Sequence, residues 1–237
     1  MRKISAVILA ISFLFAETGC SKKTVNEIQN RNGLVYAINE TEPFTGLYKK
    51  NYPSGQKQVE ENYVDGKKNG LVTIWFENGQ KQAEINYADG KQSGLTIVWF
   101  ENGRKKLEGN YVDGKLNGLA TQWFENGQKQ SENNYAGVKQ EGLTTLWFEN
   151  GQKQLEANYI DGELNGAGTE WLENGQRKGE WNYKDGKLNG LNTQFHNGHK
   201  INETNYKNGI KDGTAIEWFE NGDIKSKMTF KNGEQIN

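Results

Sequence analysis

The sequence predicts an all-β chain: an elongated, twisted antiparallel sheet of tandem 24-residue β-hairpins, preceded by an N-terminal signal segment. Three observations predict it. Aromatic residues and glycines recur at a fixed step of 24. Each period holds two turn dipeptides. The composition is polar, glycine-rich and aromatic-rich at once, with 34% hydrophobic residues, 11% aromatics, 29 glycines and two prolines in 237 residues. Aromatics at this level argue against disorder, and two prolines exclude a collagen or a proline-rich linker.

The first element is an address. Arg2 and Lys3 precede Ile4 to Ala16, a run in which only Ser5 and Ser12 are polar. This is the basic n-region and apolar h-region of an export signal, too short to cross a bilayer comfortably. Glu17-Thr18-Gly19 leads into Cys20, the single cysteine of the chain. A cysteine directly after an h-region and a glycine resembles the lipobox of bacterial lipoproteins. The resemblance implies that residues 1–19 are a signal peptide and that Cys20 is the lipid attachment site. The mature chain would then be anchored in the bacterial cell envelope, at the outer membrane or cell surface. An ordinary secretory signal with an incidental cysteine predicts export as well. Residues 20–32 are polar and aperiodic, as a tether would be, and the repeat array is expected over 33–237.

Charge narrows the partners. The chain has 29 basic and 30 acidic residues, and losing Arg2, Lys3 and Glu17 with the signal leaves 27 and 29. No basic excess is present to neutralise a phosphate backbone, so nucleic acid is not an expected partner. Adsorption to anionic lipid by charge alone is disfavoured for the same reason.

The repeat comes next, because periodicity decides the fold. Trp75, Trp99, Trp123, Trp147 and Trp171 stand 24 apart, and so do the tyrosines from Tyr63 to Tyr183 and the glycines from Gly46 to Gly190. One unit reads GLVTIWFENGQKQAEINYADGKQS, from Gly70 to Ser93, and about eight units run from Gly46 onward. Asn78-Gly79 between apolar runs is a strong hairpin mark, expected as a two-residue turn with φ > 0 at both positions. Asp89-Gly90 is the second turn. Two turns in 24 residues leave two strands of about seven or eight residues each. About sixteen strands at ~4.8 Å would make a sheet roughly 75 Å long.

A two-residue Asn78-Gly79 loop fixes a register. It pairs Phe76 with Lys81, Trp75 with Gln82, Ile74 with Ala83 and Val72 with Ile85. One face then shows Val72, Ile74, Phe76, Ala83, Ile85 and Tyr87, and the other Leu71, Thr73, Trp75, Gln82, Glu84 and Asn86. Neither face is wholly apolar, so a single sheet with narrow aromatic cores is expected rather than a sandwich. Each hairpin would depend mainly on its neighbours.

Departures from the repeat carry their own expectations. The seventh unit is one residue short, since Gly190 is followed by Gly213. Counting back from Asn197-Gly198 puts Phe195 in the Phe position and Gln194 in the Trp position, with a bulge or register shift near Asn192–Phe195. Gly137-Val138 replaces Asp-Gly in the fourth unit and needs a different turn, because valine resists φ > 0. Asn51 stands for Trp in the first unit, beside Pro53-Ser54-Gly55. Lys225 and Lys227 in the last hairpin suit an edge that must not aggregate.

The string from Trp75-Phe76-Glu77-Asn78-Gly79-Gln80 to Asn86-Tyr87-Ala88-Asp89-Gly90-Lys91 resembles the variant MORN repeat. Gly33-Leu34-Val35-Tyr36 and Pro43-Phe44-Thr45-Gly46 resemble the N-terminal cap of that family. The resemblance implies hairpin repeats in a long sheet, with no catalytic centre and no cofactor. It also implies an interaction role, as a scaffold or membrane tether. Some members are labelled YwqK-type antitoxins, which implies an alternative in which the chain binds and neutralises a toxin.

Candidate chemistry is sparse. His196 and His199 flank Asn197-Gly198 with no cysteine partner, which is weak as a metal site and is read as variation at an exposed turn. Glu60, Glu84, Glu108, Glu132, Glu156, Glu180 and Glu203 form a row, but equivalent carboxylates lack the asymmetry that separates acid from base. Hydrogen bonding or ion pairing is the expected role. Trp75, Trp99, Trp123, Trp147 and Trp171 are read mainly as packing, and otherwise as an interaction face. A protein is the most expected partner, with a glycan as the second.

Overall fold

The computed structural model describes residues 22–237. The signal segment and Cys20 lie outside the described residues. Among the described residues the chain is all-β, one long and mostly antiparallel sheet of tandem hairpins.

The array opens with a cap. Strand β1 (Thr24–Val25) runs parallel to β4 (Gly46–Asn51), and β2 (Ile28–Arg31) forms a small hairpin with β3 (Leu34–Ala37). The stretch expected to be a tether is therefore ordered into strands from Thr24. Its apolar residues Val25 and Ile28 explain this, since both pack against a buried cluster of Ala37, Phe44 and Tyr63. The Phe44 and Tyr63 rings are 5.9 Å apart at 51°, a tilted aromatic pair. Backbone bonds from Val35 to Gly66 and from Gly66 to Phe44 fasten the cap to the first unit.

From β4 the chain meanders. Strands β5 (Lys57–Val64), β6 (Lys67–Trp75) and β7 (Lys81–Ala88) pair in sequence order, and the pattern continues to Ile224–Lys231. The two turns of each unit are physically different. Asp89 and Gly90 have φ of 48° and 81°, and Ala88 pairs with Lys91 around them, which is a two-residue type I′ turn. At Asn78-Gly79 only the glycine is left-handed, at φ 84°. The Gly79 N–H donates to Phe76 O and the Phe76 N–H to Gln80 O. This is a three-residue loop with a glycine bulge, not the two-residue turn expected from the dipeptide.

That correction moves the register. Ile74 pairs with Ala83 and Val72 with Ile85, but Trp75 pairs with Lys81 and Gln82 is the extra residue. The expected pairs Phe76–Lys81 and Trp75–Gln82 do not form. A second irregularity sits at the other end of each hairpin, where Tyr63 pairs with Lys68 and Glu61 with Val72. Gly70 in this stretch has φ 99°, open to glycine at low cost. The Asn62 Nδ2 group donates to Leu71 O at 2.8 Å, and Asn86 does the same for Leu95 O at 2.7 Å. The repeated Asn beside each Tyr thus supplies a bond to a carbonyl beside the ladder irregularity.

The deviant units follow the same logic. In the seventh, Phe195 pairs with Lys200 and His196 with His199, and Asn197 and Gly198 have φ of 50° and 79°. The missing residue is absorbed in the loop, which contracts to a type I′ turn. The bulge after Gln194 is the same one that follows Ile74 in the second unit. Phe195, not Gln194, therefore occupies the Trp position. At Gly137-Val138 only Gly137 has positive φ, at 67°, the pattern of a type II′ turn.

Little of the array is deeply buried. The buried side chains outside the cap are small, such as Val72, Ala83, Ala120, Ala157, Thr121 and Thr144. A single layer offers no second sheet to cover a larger core.

Candidate interaction face

The bulge at Gln82 has a consequence for one face. In a regular strand, residues three apart point to opposite sides. The extra residue resets the alternation, so Lys81 shares the face of Glu84. The two form an ion pair, repeated as Lys57–Glu60, Lys105–Glu108, Lys129–Glu132, Lys153–Glu156, Arg177–Glu180 and Lys200–Glu203. From Glu84 onward each glutamate sits opposite Thr or Ile of the adjoining strands, as Glu84 does between Thr73 and Ile97, whereas Glu60 sits between Lys49 and Thr73. Every member of the glutamate row thus has a cation, as the ion-pair reading expected. At Glu60, burial raises the carboxyl pKa, but the hydrogen bond and charge of Lys57, with Lys49, outweigh it and leave the group below its ordinary value. A general acid needs the opposite shift.

The same lysines reach the tryptophans. The Lys57 ammonium lies 5.2 Å from the Trp75 ring centre, and Lys81, Lys105, Lys129 and Lys153 lie 6.0, 5.8, 5.7 and 6.0 Å from Trp99, Trp123, Trp147 and Trp171. The five indoles are half-buried. They alternate with lysines in one cross-sheet ladder, since Trp75 is in register with Lys81 and Trp99 with Lys105. Cation–π attraction at such sites is worth about 0.5–1 kcal/mol each. The tryptophan row was legible in the sequence. The lysines were not, because the two-residue turn placed Gln82 on that face. Their own 24-residue recurrence was the available signal.

The turns are stitched across units. Asn78 accepts from the Gln80 N–H through Oδ1 and donates to Glu101 O of the following loop at 3.1 Å. Asn126 and Asn150 repeat this link at 2.8 Å. Asn174 instead donates to Gln176 within its own loop, next to the contracted seventh turn. On the opposite edge Lys67 pairs with Asp89 at 2.7 Å, and the Gly90 N–H donates to Lys68 O.

His196 and His199 are exposed, and His196 Nε2 lies 3.8 Å from Glu220 Oε1. Among the described residues, no group of three or more His, Cys, Asp or Glu side chains is arranged to hold a metal. Among the same residues, no helix is long and apolar enough to cross a membrane.

No curated protein matches the chain. Residues 44–65, 68–89, 116–136, 140–161, 164–185 and 211–232 each match the model described as MORN repeat variant. The stretches between these segments continue the hairpin pattern, with Lys91–Trp99 pairing to Lys105–Val112 and Gly190–His196 to His199–Lys207. Matched over more than half of its residues, the chain belongs to the MORN repeat variant family.

Proposed function

We propose that this protein is an exported, non-enzymatic scaffold, anchored through Cys20 at the bacterial cell envelope, which presents one face of its sheet to a protein or glycan partner. The repeat architecture supports the interaction role. The observation that carries the reading is the ladder of half-buried tryptophans and lysines on one face. Aromatic rings with partly exposed surface are the groups from which interfaces draw their anchors. The glutamates beside them are already ion-paired, so the face offers recognition groups rather than an acid–base pair.

Crosslinking in whole cells, followed by capture from envelope fractions, tests this reading, with Cys20→Ala as the control. Specific capture of a partner in the envelope, lost or relocated in Cys20→Ala, is the expected result. Unlipidated mature protein in the cytosol would overturn it. If the captured partner is a toxin whose growth arrest is relieved by co-expression of this chain, the antitoxin reading replaces the scaffold one.

A further inference from the structure

The face opposite the tryptophan ladder has a cross-sheet row of its own. It runs through Val59, Ile74, Ala83, Val98 and Leu107 and is apolar over that length. It then turns polar at Gln122 and Ser131, returns to Leu146 and Leu155, and is polar or small again from Glu170 through Gly179, Gln194 and Asn202 to Glu217. In the neighbouring row, Asn133 stands 48 residues after Ile85 and takes the same place in its unit. Three positions that are Ile74, Ala83 and Ile85 in the second unit are thus Gln122, Ser131 and Asn133 two units on.

These residues line a groove of about 300 Å³ together with Gln130, Gln154, Phe124 and Leu146, and Trp147 stands at its margin. Not one lining residue is charged, in a chain where a quarter of residues are. The adjacent groove is lined in part by Lys106, Glu125 and Glu149, and the one near Trp181 by Glu170 and Lys178, so neutrality is local. Ser131 is 5% exposed, and its buried Oγ has no hydrogen-bond partner. Asn133 Oδ1 accepts from Gln140 Nε2 at 3.2 Å, which leaves the Asn133 NH₂ as a donor. An unsatisfied buried hydroxyl costs stability, and Val59, Ala83 and Leu107 avoid that cost at the same position of the first three units.

We propose that this groove binds a neutral oligosaccharide. Side-chain amides and a hydroxyl offer donors and acceptors together, which matches the paired hydroxyls of a sugar. The Phe124 ring and the Leu146 side chain supply apolar surface for the C–H face of a sugar ring, and a few polar groups beside apolar walls are what orient a small ligand. Without a charged side chain, the groove gives no selectivity for phosphates, uronic acids or charged peptides. An extended peptide finds no unpaired backbone there, because the strands beneath already pair with one another. The inference goes beyond the scaffold reading, because it places a second, sugar-binding surface on the face opposite the tryptophan ladder.

The test is titration of the full chain with maltohexaose, cellohexaose, chitohexaose and mannohexaose, followed by saturation-transfer NMR and calorimetry. At least one should bind. The substitutions Gln122→Ile and Asn133→Ile restore residues the fold already uses at these positions, and together they should weaken binding at least tenfold with circular dichroism unchanged. Lys225→Gln, exposed in the last hairpin and far from the groove, should leave binding intact. Absence of binding by all four sugars, or binding indifferent to the two Ile substitutions, overturns the inference. A protein partner captured from the envelope would still leave the scaffold reading standing in that case.

Discussion

The Lys81 ammonium lies over the Trp99 ring of the following unit, 6.0 Å from its centre, while it also bonds Glu84 of its own strand. One side chain thus couples two hairpins. Because each hairpin touches mainly its neighbours, such couplings are the nearest-neighbour terms from which the array's stability is assembled.

Truncating Trp99 to alanine removes a half-buried ring and its cation–π contact with Lys81. We expect a loss of about 2 kcal/mol, below the ~3–5 kcal/mol of a fully buried Trp→Ala change. Lys81→Ala should cost under about 1 kcal/mol, because its pairings are partly exposed. Denaturant unfolding of both variants checks the order. Hydrogen exchange should show the Trp99 loss centred on the strands Lys81–Ala88 and Lys91–Trp99.

Trp181 and Gly168 are a size-matched pair. They are in register on adjoining strands, and a Cβ on Gly168 would lie 2.4 Å from the indole Nε1 and 2.6 Å from Cε2. Gly168 carries no left-handed φ, so the obstacle is the indole rather than the backbone. Gly168→Ala should destabilise by about 1–3 kcal/mol through overpacking. The same change in a Trp181→Ala background should be close to neutral. A double-mutant cycle by denaturant unfolding reads the coupling.

The fourth unit can be repaired. Val138 is 76% exposed in its type II′ turn. The paired substitutions Gly137→Asp and Val138→Gly restore the type I′ dipeptide. The introduced carboxylate stands 22 residues after Lys115, the separation of the Lys67–Asp89 pair. The introduced glycine N–H gains a carbonyl acceptor like the one Gly90 finds in Lys68. We expect a gain of about 0.5–1 kcal/mol, with slower exchange of amides in residues 129–147.

Acid should loosen the array. Glu60 is held below its ordinary range because Lys57 and Lys49 outweigh burial, and Asp89 is held low chiefly by its hydrogen bond to Lys67. A carboxyl whose folded pKa lies below its unfolded value stabilises the fold above the unfolded value, near 4. That stabilisation is lost as pH falls through the folded value. Thermal melts should therefore show a lower midpoint at pH 3 than at pH 6. Glu60→Gln should reduce this difference.

The sequence made the fold legible where one signal dominated. The step of 24 and the two glycine dipeptides located the hairpins, and Asp89-Gly90 behaves as its residues predict. Asn78-Gly79 did not, because Asn-Gly fits both a two-residue turn and the end of a three-residue loop. Only the contact of Phe76 with Gln80 separates them, and that is set by the strands rather than by the dipeptide. The whole face assignment of Lys81 turned on that one residue. Ser131 and Asn133 were hidden differently. They are ordinary polar residues until the register places them among positions held elsewhere by Ala83 and Ile85.

The bulge at Gln82 and the irregularity at Gly70 recur from unit to unit, even in the shortened seventh, so growth of the gene by whole modules leaves every strand pairing as it was. Reach can then be adjusted by duplication, independently of any chemistry carried by individual modules. A module that acquires a specialised patch, as at Gln122 to Asn133, keeps it at a fixed offset from its neighbours whatever the total number of copies.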